Sequence, residues 1–233
     1  MKIVAIITAG GSGKRLPGKV KKQFLLLDNL PLLYRSVLPF YELDKIDKIL
    51  ISLPKDEFEE EKNKIAKFFH KKKFGFVVGG KERQDSIYNA LDACDKDTDL
   101  VLIHDGVRPL IKKKTIQNLI DLAQKYGAAI PVAPVKNTIK KIRDGFIEET
   151  IPRENLVNVF TPQVFNYRTI MKLYQKAKAE NLYFTDDAGI YEHYHHKIKC
   201  LITDSENIKI TDKFDLQIAE QIFNQRKKEM NNE

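Results

Sequence analysis

An α/β fold with a mostly parallel sheet and helices on both faces is what this 233-residue sequence predicts, on three observations. Short apolar runs rich in β-branched residues, KIVAIIT, KILISL, LVLIHD and AAIPVAPV, read as strands buried on both sides. Longer amphipathic stretches separate them, in the alternation that builds parallel sheets. Glycine-rich or charged turns follow several strand ends, where ligands of such folds gather.

In chain order, the first strand runs into a glycine loop, followed by a helix from Leu32 to Tyr41 and a strand from Lys48 to Leu53 closed by Pro54. From Asp56 to Phe69, Phe58, Ile65 and Phe69 recur on a helical period, with acids early and lysines late as the helix dipole favours. The strand FGFVVGG, a helix from Arg83 to Ala93 and the strand LVLIHD lead to Asp105; a helix from Lys113 to Lys125 precedes AAIPVAPV. Residues 136–158 break the rhythm: Asp144-Gly145 is a favoured two-residue turn between Ile- and Thr-rich runs, so a projecting β-hairpin is expected. An isolated hairpin is marginal in water, so this one needs a packing partner, either a second subunit or its own domain.

VNVFTPQVF then reads as strand and turn, Tyr167 to Glu180 as a helix, and TDDAGIYEHY as a short helix capped by Thr185 or Asp186. CLITD is a strand and Asn207 to Thr211 a polar loop. The last helix, Lys213 to Arg226, is expected to bury Phe214, Ile218 and Ile222, and KKEMNNE to fray.

The stretch AGGSGKRLPGKVKKQ combines Gly10, Gly11 and Gly13 with Lys14, Arg15, Lys19, Lys21 and Lys22. A glycine turn leaving a buried strand brings bare N–H groups to an anion, and the cations add charge, so a polyphosphate is the implied ligand. The P-loop pattern fails, because Arg15 follows Gly13-Lys14 and Thr8 replaces the earlier glycine; the dinucleotide pattern fails at Leu16. An ordinary lysine-rich surface turn is the alternative reading.

The hydrophobic content of 42% fits a folded globule, and the length fits one domain covering residues 1–233. Forty Lys+Arg against 32 Asp+Glu give a formal charge of +8, compatible with nucleic acid, an acidic surface or small anions. The aromatics form no stacking motif of the RNA-binding type, and no DNA-reading helix pattern is present, so a basic nucleic-acid-binding module is the weaker alternative. Cys94 and Cys200 have neither disulfide-framework nor zinc spacing. Nothing approaches the roughly 20 apolar residues of a membrane span, and a cytoplasmic protein is expected.

Beyond these readings, the chain resembles the 2-C-methyl-D-erythritol 4-phosphate cytidylyltransferases of the non-mevalonate isoprenoid pathway. The resemblance is carried by the glycine loop with Arg15 and Lys22-Gln23, by GGKERQDS (Gly79–Ser86), HDGVRP (His104–Pro109) and APVKNTIK, and by FTPQVF, TDDA and ENIKIT in that order. It departs where Lys21 replaces a usual proline, Gly106 and Val107 two common alanines, and Asn137 a frequent aspartate.

This resemblance implies a Rossmann-like fold of the nucleotidyltransferase type, with the hairpin as a dimerisation arm in a homodimer. It implies cytidylyl transfer from CTP to a small polyol phosphate, 2-C-methyl-D-erythritol 4-phosphate, giving 4-diphosphocytidyl-2-C-methyl-D-erythritol and pyrophosphate, with Mg²⁺ or another divalent cation held in part by Asp105. Arg15, Lys22, Arg153 and Lys209 would be catalytic; Ala9, Gly10, Gly11, Gly13, Gly79, Gly80, Ser86 and Asp105 would bind CTP. Asp105, Arg108, Thr138, Arg153, Thr161 and Lys209 would bind the acceptor, Arg153 across the dimer. A ribitol 5-phosphate cytidylyltransferase is the nearest alternative. No nucleic acid, membrane or fused further enzyme is expected.

Overall fold

The computed structural model describes residues 1–10, 21–69 and 73–231. Its centre is strand β1 (Ile3–Thr8), which sends Ile3, Ala5 and Ile7 into one core and Val4 and Ile6 into another. Such alternation of wholly apolar residues is what a strand covered on both faces requires.

After β1 come the short pair β2 (Leu26–Leu27) and β3 (Leu30–Pro31), helix α1 (Leu32–Tyr41) and strand β4 (Lys48–Leu53). Helix α2 (Phe58–Phe68) starts after a 3-10 turn at Lys55–Glu57, slightly later than expected from sequence. Strand β5 (Lys73–Val78), helix α3 (Arg83–Asp92), strand β6 (Leu100–Asp105), helix α4 (Lys113–Tyr126) and strand β7 (Ala128–Pro134) follow. The central sheet runs β10-β7-β11-β6-β1-β4-β5, where β10 is Val157–Val159 and β11 is Gln163–Asn166; β12 (Lys199–Ile202) pairs with β7.

Pairing of β1 with β4 and β6, of β4 with β5 and of β12 with β7 is parallel, whereas β10 and β11 run antiparallel to their neighbours. The chain builds outward from β1 through β4 to β5, then returns to lay β6 on the other side of β1. A crevice therefore opens beyond the carboxyl ends of β1 and β6, the switch point at which ligands bind in open α/β sheets. Helices α1, α2 and α4 cover one face, and α3, α5 (Tyr167–Ala179) and α6 (Asp187–His193) the other.

The interrupting segment forms a separate antiparallel hairpin of β8 (Ile139–Arg143) and β9 (Phe146–Ile151). Asp144 and Gly145 both have positive φ, 51° and 84°, as the expected two-residue turn demands. Ile142, Phe146 and Ile147 of the hairpin are exposed.

Helix α7 (Lys213–Asn231) departs from expectation twice. Its packed side carries Leu216, Ala219, Ile222 and Phe223 against Leu27, Leu32, Leu110 and Ile210, while Phe214 is exposed and Ile218 is not part of that cluster. An i, i+4 series drifts around a 3.6-residue helix, and the 216/219/223 series is the one that faces the protein. The helix also continues through Asn231 rather than fraying after Arg226; Lys and Glu are good helix formers, and Gln225 donates to Glu229 one turn on at 3.0 Å.

Candidate active site

At the carboxyl edge lies a cleft of about 410 Å³ lined by Thr8, Ala9 and Gly10 after β1, Lys22 and Gln23, Gly80 to Arg83 and Ser86, Asp105 and Val107 after β6, and Lys209. Four segments far apart in sequence, all singled out from the sequence, therefore converge. Gly11, Gly13, Lys14, Arg15 and Lys19 lie outside the described residues.

The first wall is built by the Lys22-Gln23 pair. Residues Lys22 to Phe24 form a 3-10 turn, and the buried Gln23 amide donates to the Ala9 carbonyl at 2.9 Å, which fixes the exit of β1 and presents Lys22 to the cleft. Lys21, just before the turn, has φ −65°, the value a proline ring imposes, and its ammonium pairs with Glu57 at 3.3 Å.

Close backbone contact forms the floor. A methyl group on Gly79 would stand 3.3 Å from both the Gly10 Cα and the Ser86 hydroxyl, and one on Gly80 only 2.3 Å from the Asp85 Cβ. The glycines at these positions thus let two loops and the start of α3 touch. Ser86, buried in α3, accepts from the Gly80 N–H at 2.9 Å and donates to the Glu82 carbonyl at 3.1 Å. Its hydroxyl therefore shapes the glycine turn as well as lining the cleft.

Asp105 is the electrostatic centre. Its Oδ1 lies 3.2 Å from the Arg83 Nε, and its Oδ2 lies 3.1 Å from both the Arg108 Nε and the Lys209 ammonium. Burial alone would raise the carboxyl pKa; Arg83, Lys209 and Arg108 outweigh it and hold the group well below the ordinary carboxylate range. Arg108 is fixed further by donating to the Asn207 carbonyl at 2.9 Å.

Behind Asp105, a polar chain is fully satisfied. The buried His104 Nε2 meets the Arg108 carbonyl at 3.1 Å, an acceptor only, so the proton resides on Nε2 and Nδ1 accepts from the Thr161 hydroxyl at 2.9 Å. Thr161 in turn accepts the Asp105 N–H at 3.2 Å. Burial pushes the His104 pKa down to about 4, against Asp105 and the Arg108 carbonyl, which pull it up. Thr161 thus sits beneath Asp105 with its hydroxyl committed on both sides.

Lys209 reaches the cleft because its loop is pinned on either side. Ile210 is buried among Leu27, Leu32 and Leu110 and donates its N–H to the Val107 carbonyl at 3.0 Å, while Ile208 packs on the same cluster. Alternation then turns Lys209 the other way, over Asp105.

Thr138 and Arg153 stand apart from this set. Both are exposed at the base of the hairpin, Arg153 donates to the Lys136 carbonyl, and neither is among the described residues lining the cleft of the same chain. Sequence reasoning gave no role to Arg83, Asp187 or His104; each lies inside a motif already noted, but their pairings join residues up to half the chain apart and leave no local signal.

Comparisons with known proteins show the family. A family profile described as IspD, 2-C-methyl-D-erythritol 4-phosphate cytidylyltransferase, matches residues 3–225. The chain belongs to the IspD family. One IspD relative, the 2-C-methyl-D-erythritol 4-phosphate cytidylyltransferase of Clostridium perfringens strain SM101, is 43% identical over 220 residues, 94% of this chain and 97% of its own. The corresponding protein of Clostridioides difficile strain 630 is 40% identical, covering 96% and 94%. Among solved structures, the 4-diphosphocytidyl-2C-methyl-D-erythritol synthase of Anaerococcus prevotii superposes with TM-score 0.84 at 30% identity, covering 96% of this chain and 98% of that one. The bifunctional IspDF of Campylobacter jejuni matches with TM-score 0.77 at 27% identity, covering 94% of this chain and 54% of that one. None of the described helices is long and apolar enough to cross a membrane.

Proposed function

We propose that the protein transfers the cytidylyl group of CTP to 2-C-methyl-D-erythritol 4-phosphate, forming 4-diphosphocytidyl-2-C-methyl-D-erythritol and pyrophosphate for isoprenoid synthesis. The observation that carries the reading is the convergence, in an IspD-family chain, of Lys22, the glycine floor and the Asp105 cation cluster in one cleft at the switch point.

In the proposed reaction, a phosphate oxygen of the acceptor attacks the α-phosphorus of CTP and pyrophosphate leaves. The second pKa of a phosphate monoester lies near about 6, so the nucleophile is already ionised at neutrality and needs no general base. The difficulty is anion approaching anion, which preorganised cations and in-line placement relieve. CTP is held by Ala9, Gly10, Gly11, Gly13, Gly79, Gly80 and Ser86, with the cytosine edge read by backbone groups near the glycine floor. Arg15 and Lys22 stabilise charge at the α-phosphate.

The acceptor phosphate is taken by Lys209 and Arg108, and by Arg153 and Thr138 of a second subunit. Thr161 acts through its hold on the Asp105 backbone. The exposed apolar side chains Ile142, Phe146 and Ile147 support a homodimer joined through the hairpin at 136–158, which would bury them and bring Arg153 to the neighbouring cleft. The whole chain works as one catalytic domain, and a cytoplasmic location suits its small anionic substrates.

No group of three or more His, Cys, Asp or Glu gathers among the described residues to cage a metal. What Asp105 offers is one hard carboxylate next to a triphosphate site, which fits Mg²⁺, an ion that commonly keeps waters and substrate phosphates as most of its ligands. When bound, such an ion would neutralise triphosphate charge; the cations named above position the reacting groups.

The test is pyrophosphate release with CTP and Mg²⁺, comparing methylerythritol phosphate with ribitol 5-phosphate. Turnover with the first acceptor alone is expected; turnover with the second alone would move the chain to polyol phosphate chemistry.

A further inference from the structure

We propose that Arg83 is a positioning residue for this transfer: it clamps Asp105 to the buried Asp187, so that Asp105 keeps its place when Arg108 and Lys209 turn from it to the incoming phosphate. The inference rests on the cytidylyl-transfer reading and assigns a role to a residue which that reading leaves idle.

Arg83 is the first residue of α3, behind a reciprocal cap of Glu82 and Asp85. Its Nε lies 3.2 Å from the Asp105 Oδ1, while Nη1 and Nη2 meet the two oxygens of Asp187 at 3.3 and 2.9 Å. Asp187 is wholly buried at the start of α6 and also accepts the hydroxyl proton of the buried Tyr174. The start of α6 is itself tied down, since Gln163 accepts from the Ala188 N–H at 2.9 Å and donates to Asp186 at 2.7 Å. Every nitrogen of the Arg83 fork thus faces a carboxylate, and the residue on the far side cannot move without breaking a buried network.

The other two partners of Asp105 differ in kind. Lys209 makes a single ion pair with it and is more than a third exposed, and the Arg108 side chain meets the Asp105 carboxylate only through Nε. Both bind Oδ2, on which an anion in the cleft would compete for them; Arg83 holds Oδ1. A buried carboxylate stripped of all counter-charge is strongly disfavoured. Arg83 is what allows the exchange on Oδ2 without that penalty. A point-like ammonium could not span both aspartates as the planar fork does.

The experiment assays the parent, Arg83→Ala and Arg83→Lys side by side for the unfolding midpoint, the CTP KM, kcat and the response to millimolar guanidinium. We expect Arg83→Ala to lose about 10²-fold in kcat with the CTP KM nearly unchanged, and guanidinium to restore at least about tenfold of it without affecting the parent. Arg83→Lys should fall between, about tenfold below the parent. Should Arg83→Ala not fold, Arg83→Lys decides: parental kcat would mean that charge alone suffices and would overturn the proposal. Parental kcat in Arg83→Ala, or a loss that guanidinium cannot restore, would overturn it as well. A parent without turnover on either acceptor would remove the transfer reading and this role together, whereas an active parent with equally active variants removes only this role.

Discussion

The ammonium of Lys209 and the Oδ2 of Asp105 meet at 3.1 Å although they come from opposite halves of the chain. The contact depends on the buried Ile210 and the partly buried Ile208, which hold the loop around Lys209, not on Lys209 itself. Removing the ammonium should therefore harm chemistry more than folding. Lys209→Ala is expected to lower kcat by about 10²- to 10³-fold, with the unfolding midpoint within a few degrees of the parent; steady-state kinetics with thermal unfolding checks both.

If Arg153 serves the cleft of a second subunit, inactive variants should complement one another. Mixing Arg153→Ala with Lys209→Ala after reversible dissociation makes mixed dimers in which one cleft carries both lesions and the other neither. About one quarter of all clefts would then be intact, and activity should rise to about that share of the parent. Mixtures no more active than their components would place Arg153 outside the shared site.

Gly80 tests the floor. Its added methyl would meet the Asp85 Cβ at 2.3 Å and the start of the α3 backbone at about 3 Å, groups that cannot swing aside. Gly80→Ala should cost about 1–3 kcal/mol of stability and weaken CTP binding more than acceptor binding. Chemical denaturation and calorimetric CTP titration measure the two effects.

Acid should loosen the seat of Lys209 through Asp215. This carboxylate accepts the Thr211 N–H at 2.7 Å and hydroxyl at 2.6 Å and the Asp212 N–H at 3.1 Å, while Asp212 caps back onto the Asp215 N–H at 2.9 Å. Partial burial works to raise its pKa, but these hydrogen bonds and the charge of Lys22 lower it below the usual aspartate value. With the folded value below the unfolded one, near about 3.9, the stabilisation is full above that pH and is lost as pH falls through the folded value. Asp215→Ala should be about 1 kcal/mol less stable than the parent from pH 5 to 7, and the gap should close below about pH 4. A gap unchanged down to pH 3 would contradict this.

The fold was legible because most of the signal is local. Short, wholly apolar runs rich in β-branched residues and closed by Gly, Pro or Asp favour strands covered on both faces, and Asp144-Gly145 forced its own turn. Where several weak surfaces competed, as on α7, the periodicity chosen from sequence pointed at Phe214 while packing selected Leu216 and Ala219. In the site, the cleft-lining motifs were visible as glycines and cations. Invisible were the partnerships: Arg83 with Asp187, His104 with Thr161, Gln23 with Ala9. Each is a single polar pair whose members have ordinary neighbours in the chain and meet only once the sheet has formed.

Cytidylyl transfer requires a new bond between the acceptor phosphate and the α-phosphate of CTP. Phosphorus NMR of CTP, Mg²⁺ and methylerythritol phosphate with the parent protein tests it directly. We predict loss of the acceptor monoester signal in step with the triphosphate, and growth of pyrophosphate together with two coupled diphosphodiester resonances. Pyrophosphate with CMP and an untouched acceptor, or a diphosphodiester formed only when ribitol 5-phosphate is supplied instead, would contradict it.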